Sequence, residues 1–300
     1  MINWKIISNK ISVATLATFS VAHASPITGG DTNQTWHLDG YVENVHKEHK
    51  SEYFVKLNSA GMSAMFTAES AGLAALAASN TVRVPRVITH GVADQHAFLV
   101  LEYFDLLRNG NHELFGAQLA ALHRVQSAQF GWDQDNTLSL TPQPNTWSVD
   151  WISFWREQRL GFQLDLAARN GYSGKLQELG EKVMEALPHL FAGYTPAASL
   201  LHGDLWGGNY AFLADCTPVI FDPAPYFGDR ETDIAMTELF GGFDTEFYAA
   251  YHAAYPLDAG YDNRRTLYKL YHILNHCNLF GGSYIQQAEG MMQDILNNVR

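Results

Sequence analysis

The segment LHGDLWGGN from Leu201 to Asn209, followed by an apolar run from Val219 to Phe221 that closes on Asp222, constrains this chain more than any other stretch. Buried strands do not ordinarily end on a carboxylate that nothing balances. A His-Gly-Asp turn alone is common enough for packing reasons, but the joint pattern, with an Asn five positions after the Asp, is not. Phosphoryl transfer uses these residue types in this order. An Asp accepts the proton of the attacking hydroxyl, and an Asn about a turn later holds Mg²⁺. A second Asp supplies the other carboxylate, because Mg²⁺ takes few hard oxygens from protein and keeps the rest for water and phosphate. The segment therefore reads as a phosphotransfer centre, with Asp204 as base and Asn209 and Asp222 as metal ligands.

A length of 300 residues at 47% hydrophobic supports one large or two modest domains and argues against disorder. The net charge of −12, from 19 Lys and Arg against 31 Asp and Glu, excludes a general nucleic-acid binder and is easier to reconcile with a neutral or cationic small substrate. Cys216 and Cys277 show no disulfide or zinc spacing and are expected to be buried, reduced thiols. Near the N-terminus, Lys5 and Lys10, the apolar stretch Ile11–Ala22 and Ala22-His23-Ala24 imitate an export signal. Trp4, Ile7 and Ile11 recur at helical spacing, however, and Phe19 and Val21 alternate as in a strand. The expectation is an N-terminal helix and strand of a cytoplasmic protein, since an ATP-dependent enzyme has no use outside that compartment. No stretch is apolar and long enough to span a bilayer.

Up to residue 103 the pattern is that of a small α/β lobe: strands over Asp31–His37, Glu52–Leu57 and Phe98–Tyr103, and an Ala-rich helix over Ala64–Ala78. Residues 104–300 are mainly helical, with helices expected over His112–Val125, Trp147–Asn170, Leu176–Leu187, Asp244–Tyr255 and Arg264–Phe280. The fold class is α+β: a two-lobe, protein-kinase-like fold with a small β-rich N-terminal lobe, a larger helical C-terminal lobe and a crossover at Glu102–Phe104. Gly29 and Gly30, with Asp31, Thr32 and Asn33, offer a loop whose backbone N–H groups can approach phosphate. Lys56 in the strand YFVKL is placed to reach nucleotide phosphates, and Glu69 on the following helix to pair with it.

The chain resembles the fructosamine kinase family, the ketosamine 3-kinases, which belongs with the aminoglycoside phosphotransferase group of kinase-like folds. The resemblance is nearly full length. It rests on LHGDLWGGN with FDPAPYFGDRETDIAM (221–236), and on TPQPNTW (141–147), WREQRLGFQLDLA (155–167) and LFGG (279–282). It implies transfer of the ATP γ-phosphoryl to the sugar O3 of amines carrying fructosyl, ribulosyl or erythrulosyl groups, with the phosphorylated adduct then breaking down to free the amine. It further implies Mg²⁺ and ATP as cofactors, adenine on the main chain near Glu102 and Phe104, and Trp206 as a wall of the sugar pocket. His202 and Asp233 would support the catalytic loop, and Asp229, Arg230 and Glu231 either touch substrate or brace that loop. Some relatives carry a cysteine in the glycine-rich loop; here there is none, so no thiol switch is expected there. Asp222-Pro223-Ala224 in place of Asp-Phe-Gly sets the chain apart from protein kinases. Two alternatives stay open: the same chemistry on an aminoglycoside- or choline-type hydroxyl, and a non-catalytic kinase-like binding module. No nucleic-acid or membrane partner is expected, and spacing does not decide the oligomeric state.

Overall fold

The computed structural model describes residues 2–28, 32–44 and 47–299. The chain divides into two compact units, Met1–Gly110 with Ala211–Phe221, and Asn111–Tyr210 with Asp222–Arg300. As expected for an α+β chain, a five-stranded sheet occupies the N-terminal part and helices dominate the C-terminal part.

In the first unit, α1 (Trp4–Thr15) leads into β1 (Thr18–Ile27), β2 (Gln34–Asn44) and β3 (Lys47–Ser59), then α2 (Ser63–Ala78), β4 (Val87–Ala93) and β5 (His96–Glu102). The strands lie in the order β1-β2-β3-β5-β4, each pair antiparallel. Ile7 and Ile11, four apart on α1, are fully buried in a cluster with Phe19, Leu38, Val55, Phe98 and Val100. The segment that imitates an export signal is thus a core element of the sheet. Pleating turns Lys56 to the opposite face from Val55 and Leu57. There Lys56 pairs in register with Thr35 on β2 and Leu99 on β5. β2 starts at Gln34 rather than Asp31, because Thr32 and Asn33 form a bend in which Asn33 Oδ1 accepts from Asn58 Nδ2 at 2.9 Å. A hairpin of Tyr210–Phe212 with Pro218–Ile220 also joins this unit, through Leu107 and Phe212 (N–H to O at 2.8 and 2.9 Å). Cys216 lies exposed in its turn at φ +67°, which corrects the expectation of burial; Cys277 is buried.

The second unit contains α3 (His112–Leu122), α4 (Trp151–Phe154), a π-helical stretch (Trp155–Gly161), α5 (Phe162–Arg169), α6 (Lys175–Leu190), α7 (Glu231–Thr237), α8 (Thr245–Ala254), α9 (Tyr261–Phe280) and α10 (Ser283–Asn298). The helix expected from Trp147 begins only at Trp151, because Asp150 caps it by accepting from Ser153 N–H at 2.7 Å. Trp151 and Trp155 are core residues, whereas Trp147 precedes the helix and is partly exposed. A small antiparallel sheet, Phe227–Gly228, Ala198–Leu200 and Gln126–Ser127 in that order, carries the chain into both segments singled out above. Among the described residues no helix is long and apolar enough to cross a membrane.

Candidate active site

Two main-chain bonds lay the segments 201–204 and 222–226 side by side: Leu201 N–H to Tyr226 O at 3.1 Å, and Ala224 N–H to His202 O at 2.9 Å. The approach is so close that a Cβ on Gly203, which has φ +83°, would lie 2.0 Å from the Ala224 carbonyl oxygen. That position requires glycine. Asp222 itself has φ +57°, a left-handed conformation that Asp tolerates better than most residues and that re-aims the chain after the strand.

Asp233, in the first turn of α7, anchors the loop. Its carboxylate accepts from His202 N–H at 2.7 Å and Gly203 N–H at 2.9 Å, and meets His123 Nε2 at 3.1 Å. The proton positions on His123 follow from its neighbours. Arg230 Nη1 donates to the Tyr251 hydroxyl oxygen at 3.0 Å, so that hydroxyl's own proton goes to His123 Nδ1 at 2.7 Å, and Nε2 donates to Asp233. Burial raises the Asp233 pKa, but hydrogen bonds from His123 and from Gly203 N–H hold the carboxyl below its ordinary value. The resemblance implies that His202 and Asp233 support this loop. Nothing in the sequence points to His123 and Tyr251 beyond their chemical types.

Asp204 lies beside this anchor with 21% of its side chain exposed. Asn209 Nδ2 donates to both the main-chain oxygen (2.8 Å) and a carboxylate oxygen (3.2 Å) of Asp204. His272 Nδ1 is 3.8 Å from the other carboxylate oxygen, beyond hydrogen-bond reach. Burial, then the neighbouring His276, pushes His272 down to about 3, so it is neutral at pH 7. Burial first, and the Asp222 charge second, push the Asp204 carboxyl up to about 7. The like-charge contribution shows that the two carboxylates share one field. Asn209, with its nitrogen committed to Asp204, keeps Oδ1 as a hard oxygen donor. No group of three or more His, Cys, Asp or Glu able to hold a metal occurs among the described residues. A donor set of one carboxylate and one amide oxygen suits Mg²⁺, which keeps most of its shell for water and phosphate.

The TPQPNTW stretch braces the loop after Asp222. Gln143 Nε2 donates to Ala224 O at 3.0 Å, Asn136 Nδ2 to Pro225 O at 2.8 Å, and Arg159 to Pro144 O at 2.6 Å and Asn145 Oδ1 at 2.7 Å. Arg159, from the π-helical stretch, is fully buried, with its guanidinium 4.0 Å from the centre of the Tyr226 ring.

Of the residues flagged as substrate contacts or braces, three point inward. Asp229 accepts from Tyr194 at 3.0 Å and Tyr268 at 2.5 Å, Glu231 takes the Arg264 fork at 2.8 and 3.0 Å, and Arg230 holds Tyr251 and the Tyr255 carbonyl, each at 3.0 Å. Their contacts are those of braces. Trp206 is 38% exposed, and Gly208 leaves room for its indole, since a Cβ there would sit 2.4 Å from the ring.

In the first unit, Lys56 Nζ meets Glu69 Oε1 at 2.5 Å with both side chains largely buried. The Glu102 carboxylate is held by Arg83 at 2.7 Å, and its N–H donates to Arg86 O at 2.9 Å. The Arg83 guanidinium also stands 5.2 Å from the centre of the Phe104 ring. Asn58 Nδ2 donates to the Thr32 carbonyl at 3.3 Å. Gly29, Gly30 and Asp31 lie outside the described residues.

A family model described as fructosamine kinase matches residues 3–298. A protein of Synechocystis sp. named "probable ketoamine kinase" is 47% identical over 298 residues, covering 98% of this chain and 97% of the relative. A crystal structure from Haemophilus somnus, provisionally named a fructosamine-3-kinase, superposes with a TM-score of 0.85 at 31% identity, covering 97% of each chain. The crystal structure of an ADP-bound aminoglycoside phosphotransferase has a TM-score of 0.63 at 12% identity, covering 98% of each chain; that likeness shows the fold alone, the protein-kinase-like one.

Proposed function

The chain belongs to the fructosamine kinase family, and from that premise we propose that it is an ATP-dependent kinase of the O3 hydroxyl of ketosamines: ribulosyl, fructosyl or erythrulosyl adducts of amines. The observation that carries the reading is geometric: the Asp204 carboxylate is held by Asn209 Nδ2 at 3.2 Å in a loop that main-chain bonds tie to the segment after Asp222, and burial, with the Asp222 charge, pushes that carboxyl up to about 7. A general base works best with a pKa near the operating pH. In the proposed reaction Asp204 orients the sugar hydroxyl and takes its proton as the hydroxyl oxygen attacks the γ-phosphorus of ATP. Asn209 and Asp222 would hold Mg²⁺, which when bound supplies neutralising charge to the phosphoryl oxygens. Lys56, fixed by Glu69, would bind nucleotide phosphates together with the loop at Gly29–Asn33. The Glu102 N–H is already bonded to Arg86, so adenine would be read by the main chain after it, at Phe104. Trp206 would face the sugar.

Enolisation toward C1 makes the O3 phosphate a β-leaving group; its elimination leaves an imine at C1, and water hydrolyses that imine to free the amine and a 3-deoxyosone. The protein would thus repair glycated amines in the cytoplasm. The test is Mg²⁺-dependent ATP consumption against ribulosyl-lysine, fructosyl-lysine, choline and an aminoglycoside. Turnover on a ketosamine that falls by roughly 10³-fold or more in Asp204→Asn is expected. Turnover on choline or the aminoglycoside in its place would move the acceptor to another hydroxyl, and near-normal turnover in the variant would remove Asp204 from its role.

A further inference from the structure

The LFGG stretch and the rings around it have no part in the chemistry above. Trp206, Phe240 and Phe280 are large apolar side chains exposed at 38%, 44% and 60%. They are not scattered. The His276 ring lies 5.0 Å from Phe240, 5.6 Å from Phe280 and 5.1 Å from Tyr284, and Trp206 lies 6.2 Å from Phe240. His276 Nδ1 donates to the His272 carbonyl at 2.8 Å, which fixes the central ring. Two left-handed turns hold the outer ones: Phe240, Gly241 and Gly242 at φ +59°, +112° and +78°, and Gly281 and Gly282 at +63° and +61°. A left-handed Phe costs roughly 1–2 kcal/mol, yet the ring it carries stays 44% exposed. Strain that presents an apolar ring to solvent beside a reactive centre marks a surface that a ligand covers.

The wall is contiguous with the candidate base. His272 on α9 faces Asp204 at 3.8 Å, and His276 follows it on the same helix face. One turn advances about 5.4 Å. Trp206 reaches the wall from the other side, two residues after Asp204. In a ketosamine the amine nitrogen is four bonds from O3, roughly 4–5 Å at standard bond lengths. With O3 at Asp204 that reach matches the one-turn step from His272 to His276, so a substituent beyond the nitrogen extends toward the rings around His276. That nitrogen is a secondary ammonium at neutral pH, which aromatic faces attract, and carbon chains beyond it pack on the same faces.

Resting on the ketosamine reading, we propose that Phe240, Phe280 and Tyr284, next to Trp206, form the subsite for the amine-side substituent and make the enzyme select adducts of amines bearing an apolar or aromatic group. The experiment uses two ketosamines with the same sugar, one made from methylamine and one from benzylamine. Wild type is expected to favour the benzyl adduct by about tenfold in kcat/KM, the equivalent of one well-packed ring. In Phe240→Ala and Phe280→Ala that ratio collapses toward one through the KM of the benzyl adduct, and Phe240→Leu keeps part of it. A ratio near one in wild type, or a ratio unchanged in folded variants, overturns the subsite while leaving the kinase reading intact. Absence of turnover on both adducts in wild type overturns the ketosamine reading and the subsite with it.

Discussion

Replacing Asp233 by Asn removes a buried anion that holds the loop at 202–204 by its backbone. The native carboxylate takes three donors, at 2.7, 2.9 and 3.1 Å. Asn offers one oxygen, and its amide nitrogen must face a donor that the second carboxylate oxygen used to accept. A net hydrogen bond to a charged group contributes about 1.5–3 kcal/mol, and an orphaned buried N–H adds about 1–3 kcal/mol. The expected loss is therefore about 2.5–6 kcal/mol, which for a unit of this size lowers Tm by roughly 5–24 °C. The loop moves as well, and a displacement near 1 Å is enough to reduce kcat by about 100-fold. The pH dependence has a definite sign. The folded carboxyl of Asp233 is held below its unfolded value, so its stabilisation is full above the unfolded pKa of about 4 and is lost as pH falls through the lower, folded one. The stability gap between wild type and Asp233→Asn should be level from pH 7 to 5 and narrow below pH 4. Thermal unfolding across that range, with kcat and KM at pH 7, makes the measurement. A variant within 1 kcal/mol of wild type with an unchanged kcat would refute the anchor role.

Lys56→Met should lower stability by about 3–5 kcal/mol by leaving Glu69 buried without its cation, whereas Lys56→Met with Glu69→Leu should recover most of that and still not bind nucleotide. Thermal melts and a nucleotide titration check this; a double variant as unstable as the single would contradict it. Gly203→Ala should cost about 100-fold in kcat, because its Cβ would meet the Ala224 carbonyl at 2.0 Å and force the base off position. An active Gly203→Ala with native stability would show that the loop tolerates the shift.

How far this was legible in the sequence depended on distance along the chain. Asp204, Asn209 and Asp222 lie within one short stretch, so the types and order that suggest phosphoryl transfer can be read locally. The Lys56–Glu69 pair spans 13 residues, strand to helix, and was equally accessible. The Asp233–His123 contact spans 110 residues, and local pattern does not encode such a partner. Asp229 and Glu231 look like surface acids by type, yet both are fully buried, because Tyr194, Tyr268 and Arg264 arrive from other elements. Helix α7 shows no helical period in the sequence, because all seven of its residues are buried, the polar Glu231, Thr232, Asp233 and Thr237 included. α10 shows only a sparse buried stripe of Ala288, Met292 and Ile295. The exposed wall at Phe240 and Phe280 was invisible for the opposite reason: apolar rings at helix ends read as core.

The most direct test of the account is to locate the phosphate. Incubating the purified chain with Mg²⁺, ATP and a ribulosyl or fructosyl amine, and following phosphorus–proton coupling by NMR, should show phosphate bound through O3 and coupled to H3. Free amine and inorganic phosphate should then appear as the adduct decays, and none of these signals should appear with Asp204→Asn. Phosphate on any other hydroxyl, or a stable product that releases no amine, would contradict it.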